Sequence, residues 1–123
     1  MTDRHACVLC GLPGDHQHHL TGRGADHEQL DQQFTVPLCH SDHELVHAEL
    51  RTAKIDRPLS ATTVPERMER RLERVAAFLG RAYEYFPFVW VGCAAVAVRQ
   101  WALELGQFIA ALDQWNPAWR RAL

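Results

Sequence analysis

Three of the four cysteines and all eight histidines of this 123-residue chain lie before residue 48, and that crowding constrains the fold more than any other feature. Cys7 and Cys10 stand in "CVLC", and Cys39 opens "CHSDHELVH", which carries three further histidines. A C-x2-C spacing lets one tight turn present two thiolates to a single ion, and tetrahedral zinc then needs two more ligands from elsewhere. Cys39 is the obvious third. The fourth falls to Asp42 at C-x2-D or to His43 at C-x3-H, with His40 a poorer choice. Unmetallated or redox-active cysteines are the competing reading, disfavoured by the nearby Cys39 and histidines. A half with so few apolar residues draws its folding energy from the metal.

The length suits one domain, or a small module with an appendage, and excludes a second full domain. "IDRPLSATTVP" has the composition of a connector, so residues 1–55 read as a module, 56–63 as a linker and 64–123 as a helical extension. Within the module, "HQHHLTGRGAD" running into a Gly-containing turn and the β-branched "FTVPL" suit a two-stranded hairpin. Ser41 and Glu44 have the spacing of a capping box, which predicts a helix from Asp42 to about Ala53 with His43 and His47 one turn apart on one face. Thr63 and Glu66 repeat that spacing ahead of a longer helix. There Met68, Leu72, Val75, Leu79, Ala82 and Phe86 fall at helical intervals and leave Arg67, Arg70, Arg71 and Arg74 on the other side.

Pro87 interrupts that helix, and a more apolar one follows up to Asn116-Pro117, with Cys93 reading as core. Its apolar run from Phe86 to Val98 falls short of the roughly 20 residues that span a bilayer. A buried helix is therefore expected, covered by a helical hairpin or a homodimer interface, with no membrane association. The fold class is α+β: a small zinc-bound module of two strands and a helix followed by a mainly α-helical hairpin extension. The N-terminus lacks a basic segment followed by an apolar one, so a cytoplasmic address is expected, where disulfides are disfavoured.

A formal charge of -2 excludes a uniformly basic nucleic-acid binder, but local distribution governs phosphate contact. Of the 13 basic residues only Lys54 is not arginine, whose planar fork suits phosphate. The helical arginines read equally as a solvated face paired with Glu66, Glu69 and Glu73. The cysteine-held zinc leaves His18, His19, His43 and His47 without a role. A neutral imidazole binds catalytic metals, and its near-neutral pKa makes it a general base. On an extended strand His18 and His19 point to opposite sides, so one can hold a metal while the other faces substrate water. His43 and His47 can meet the first from their helix.

With "C-V-L-C-G", then "H-H-L", then "V-P-L-C" and histidines four and eight residues later, residues 5 to 50 resemble the HNH endonucleases, particularly those of bacteria and phages with a zinc-stabilised treble-clef, ββα-metal core. The resemblance implies metal-dependent hydrolysis of phosphodiester bonds in DNA. It implies that His18 and His43 bind the catalytic divalent ion (Mg2+, Mn2+, Ni2+ or Zn2+), that His19 is the general base, and that His47 assists at the metal or the scissile phosphate. Asp42 occupies the place of the second cysteine of the last knuckle, which favours it as the fourth structural zinc ligand beside Cys7, Cys10 and Cys39. The family's central asparagine is missing, and Gln33 or Asp31 would brace the loop instead. Arg23 and the helical Arg67, Arg70, Arg71 and Arg74 would position the nucleic-acid backbone. The alternative is a non-catalytic zinc-binding module that binds DNA or a protein partner.

Overall fold

A hairpin, a short helix and two long helices follow one another in the computed structural model, which describes residues 5–22, 33–55 and 63–122. The elements are β1 (His16–His19), β2 (Thr35–Leu38), α1 (His40–Thr52), α2 (Val64–Tyr85), α3 (Val89–Trp115) and a terminal turn of helix, α4 (Trp119–Ala122). The class is α+β and mostly helical. The two strands pair antiparallel, with His16 opposite Leu38 and His18 opposite Val36. Leu38, fully buried, carries the hairpin into the core, and its neighbour Cys39 starts α1.

The start of α1 departs from the sequence expectation. Its N-cap is Cys39, not a residue at the Ser41 capping spacing, and the first helical residue is His40. Cys39 has the extended backbone of a cap, and its Sγ accepts from the Asp42 N–H at 3.4 Å. A thiol thus does the work usually given to a hydroxyl or carboxylate oxygen. The capping box at α2 is formed as expected: Thr63 Oγ1 accepts from the Glu66 N–H at 3.4 Å, and Glu66 Oε1 accepts from the Thr63 N–H at 3.3 Å. The helix stops at Phe86, just before Pro87.

Two residues of α2 and Phe86 at its C-cap lie elsewhere than the periodicity places them. Met68 and Phe86 are exposed, and Arg74 is buried. Arg74 Nη1 donates to the Ile55 carbonyl at 3.3 Å, and Nη2 donates to the His19 carbonyl at 3.1 Å. Those two acceptors, brought up by the chain after α1 and by the end of β1, draw the guanidinium inward.

The expected buried α3 is also corrected. It forms the predicted helical hairpin with α2, but only Val91, Ala102 and Ile109 are buried, and Cys93 is exposed. One long neighbouring helix covers one face and leaves the rest in solvent. Near its end Trp119 Nε1 donates to Asp113 Oδ1 at 3.0 Å, and Arg120 pairs with both Asp113 and Glu66, tying α4 back to α2 and α3. No described helix is long and apolar enough to cross a membrane. The core joins the halves: Leu9, Leu38, Val46 and Leu50 pack with Ala82 of α2 and Val91 of α3. Residues 56–62 of the expected linker lie outside the described residues.

Candidate metal centres

The first centre is built by a turn. Gly11 N–H donates to the Cys7 carbonyl at 3.0 Å, closing the Cys7–Cys10 loop, and Gly11 has φ +81°, which L side chains rarely adopt. Gly14 brings the chain back past the knuckle so closely that a Cβ there would meet Cys7 N and the Pro37 side chain at 3.0 Å. Cys39 and Asp42 arrive from the first turn of α1. The ligand atoms of Cys7, Cys10, Cys39 and Asp42 all lie within 4.8 Å of one another, a geometrically plausible metal-binding group. Cys10 Sγ and Cys39 Sγ are 3.6 Å apart, and Asp42 Oδ2 is 3.2 Å from both Cys7 Sγ and Cys39 Sγ. A tetrahedron with metal–sulfur bonds of about 2.3 Å has sulfur–sulfur edges of roughly 3.8 Å, close to the edge seen here.

The protonation of this group fits a cation. Burial opposes ionisation of Asp42, but the Tyr85 hydroxyl and the three thiols donate to its carboxylate and hold it at about 2. The Leu12 backbone pulls the Cys10 thiol down, yet the Asp42 carboxylate, burial and the thiols of Cys39 and Cys7 push it up to about 12. Burial likewise raises Cys7, and backbone N–H groups of Cys10, Cys39 and Leu9 bring it below its ordinary value. With Asp42 ionised, the Cys10 thiolate beside it is disfavoured. A bound divalent ion removes that conflict, because coordination deprotonates thiols outright. Tyr85, from α2, donates its hydroxyl to the other carboxylate oxygen, Asp42 Oδ1, at 2.5 Å.

The second centre is His18, His43 and His47, whose ligand nitrogens also lie within 4.8 Å of one another. His18 is 1% exposed. Its ring stacks on Phe78 of α2 at 6.0 Å and meets His43 and His47 edge-on at 5.5 and 5.2 Å. As the helical spacing predicts, His43 and His47 share a face, with their Nε2 atoms 3.0 Å apart. Burial, then the Arg74 charge and the neighbouring histidines, pull His18 down to about 3, and burial with His47 and His16 lowers His43. Neutral rings are the form that binds metal. Among the described residues the buried Nδ1 of His18 has no hydrogen-bond partner, a group that a bound ion would satisfy.

Sequence reasoning gave His47 an assisting role; the geometry groups it with His18 and His43. His19 is not a member. It follows His18 on β1, so strand alternation turns it to the opposite face, and its carbonyl is the one held by Arg74. His16 was missed. Its ring lies 5.3 Å from that of His40 and 5.1 Å from that of His43, and the period of two that separates His18 from His19 would have paired it with His18. Of the arginines, Arg67, Arg70 and Arg71 are half-buried along α2, with Arg70 4.0 Å from Glu73. Gln33 is exposed, and Arg23 and Asp31 lie outside the described residues. Compared with protein-family models, curated proteins and solved structures, the chain has no match.

Proposed function

We propose that this chain is a metal-dependent endonuclease of HNH type, hydrolysing phosphodiester bonds in DNA from a zinc-bound treble-clef ββα module. The observation that carries the reading is the separation of two ligand sets: a thiolate-rich group that suits a closed structural zinc, and a purely histidine group that suits an open catalytic ion. His18 and His43, with His47 within reach, would hold a divalent ion, which would supply positive charge to the scissile phosphate and the departing 3′ oxygen. His19, on the other side of β1, takes the proton from the attacking water. Arg74 fixes the backbone that carries His19, so it positions the base instead of touching phosphate. Arg23, Arg67, Arg70 and Arg71 hold the nucleic-acid backbone.

Nicking of supercoiled plasmid DNA tests this. Cleavage is expected only with added Mg2+, Mn2+, Ni2+ or Zn2+, and His19→Ala should lower its rate by roughly 10²- to 10⁴-fold, the usual worth of a positioned base, with the cysteine-held zinc retained. His18→Ala should also raise the metal concentration needed. No cleavage with any of these metals, or equal cleavage by His19→Ala, overturns the mechanism; the former leaves a zinc module that binds DNA or a protein.

A further inference from the structure

The exposed side of α3 is patterned. Ala94, Trp101, Phe108 and Trp115 recur every seven residues, and so do Trp90, Ala97, Glu104 and Ala111. Together they form one stripe with the 3.5-residue repeat of a helix–helix seam. The stripe lies to one side of the buried Val91, Ala102 and Ile109, about a third of the way round the helix. Its aromatic members stand in solvent: Trp90 is 70% exposed, Trp101 57%, Phe108 53% and Trp115 78%. At 150–250 Å² per aromatic side chain, those four leave roughly 600 Å² in water, the upper end of the largest apolar patch on a typical monomer. Cys93, Ala97 and Ala111 extend the face toward the ~800 Å² per partner of a standard stable interface.

We propose that α3 pairs antiparallel with α3 of a second copy of this chain. The order of large and small side chains selects both partner and direction. In an antiparallel seam, with the two-fold axis level with Gly106, Trp115 of each copy meets an alanine, Ala97, and Trp101 meets Ala111. Phe108 then meets the stem of Glu104, and one polar seam residue fixes the register. A parallel pair instead sets Trp101 against Trp101 and Ala97 against Ala97, leaving gaps between the bulges. The flank of the stripe is Cys93, Gln100, Gln107 and Gln114, which neither repels an identical helix nor recruits a charged partner. A lipid surface fits poorly, since Arg99 is the only basic residue of α3 and interfacial helices are rich in them.

Sedimentation of the full chain with its metals tests the proposal. A mass twice the 14.1 kDa of one chain is expected at micromolar concentration. Trp101→Glu combined with Phe108→Glu should return it to one chain, with far-UV circular dichroism unchanged because both residues are already exposed. Direction is read by oxidation and needs no weakening of the fold. Gln107→Cys, about 3 Å along the axis from its mate, should cross-link to its own copy, whereas Cys93, about 40 Å from its mate, should not. A wild-type monomer at ~100 µM, a dimeric double variant, or cross-linking through Cys93 and not through Gln107→Cys would overturn it.

Discussion

Between residues 5 and 55 the buried side chains include His18, Asp42 and Cys7 beside Leu38 and Leu50, whereas α2 and α3 bury small residues such as Ala76, Ala82 and Ala102 and leave three of the four tryptophans in solvent. The first region is short of apolar surface and long on ligands; the second is the reverse. Each is incomplete in the isolated chain, in opposite senses. On the proposed reading, metal ions would complete the first by neutralising groups that are costly to bury unpaired, and a second copy would complete the second by covering its aromatic stripe. They are coupled through α2, which stacks Phe78 on His18, hydrogen-bonds Tyr85 to Asp42 and ties Arg74 to the end of β1.

The largest effect separating the regions is expected on removing the proposed structural zinc, since such binding is worth about 10–16 kcal/mol in small zinc-dependent folds. A strong chelator should release amide protection throughout β1, β2 and α1 while helical circular dichroism from α2 and α3 persists. Hydrogen exchange reads both, and full protection of α1 without metal would break the contrast. Side-chain truncation gives the next effect. Leu50, 1% exposed, should lose about 2–5 kcal/mol on Leu50→Ala, whereas Val96→Ala at a 71% exposed site should stay within ~0.5 kcal/mol in the dissociated protein. Equal losses in denaturant titrations would show that the two regions pack alike. The smallest effect concerns their junction. Tyr85→Phe removes a hydrogen bond to a charged carboxylate, worth roughly 1.5–3 kcal/mol, and should weaken zinc at the cysteine site about tenfold or more. With Asp42→Cys in place, where no carboxylate remains to accept, the same change should have little effect, so a competition assay showing equal sensitivity would remove Tyr85 from the site.

The local parts of this architecture were readable in the sequence because they depend on spacing alone. C-x2-C with Cys39 marks three members of one ligand group and leaves the fourth open between Asp42 and His43, the i, i+4 pair His43 and His47 marks two of the three members of the other, and Thr63 with Glu66 marks the start of α2. The rest depends on tertiary placement. Arg74 reads as a surface arginine until the Ile55 and His19 carbonyls are brought beside it. Phe78 and Tyr85 look like ordinary helix residues, and only the packing of α2 on the module makes them neighbours of His18 and Asp42. The apolar run of α3 does not declare how many helices will cover it. Cys39 was misread as preceding the cap because a sulfur cap is uncommon, while His16 was legible from strand alternation and was passed over for the adjacent His18-His19 pair.

The central claim is that the chain holds two ions of different kind at two separate ligand groups. Metal content per chain, measured before and after equilibration with a divalent ion and exhaustive dialysis, tests it most directly. One zinc should survive dialysis in the wild-type protein, with a second ion bound only while it is supplied. Cys39→Ser should lose the retained zinc, and His18→Ala should keep it but lose the exchangeable ion. A single ion under all conditions, or loss of the retained zinc in His18→Ala with the fold otherwise intact, would contradict the account.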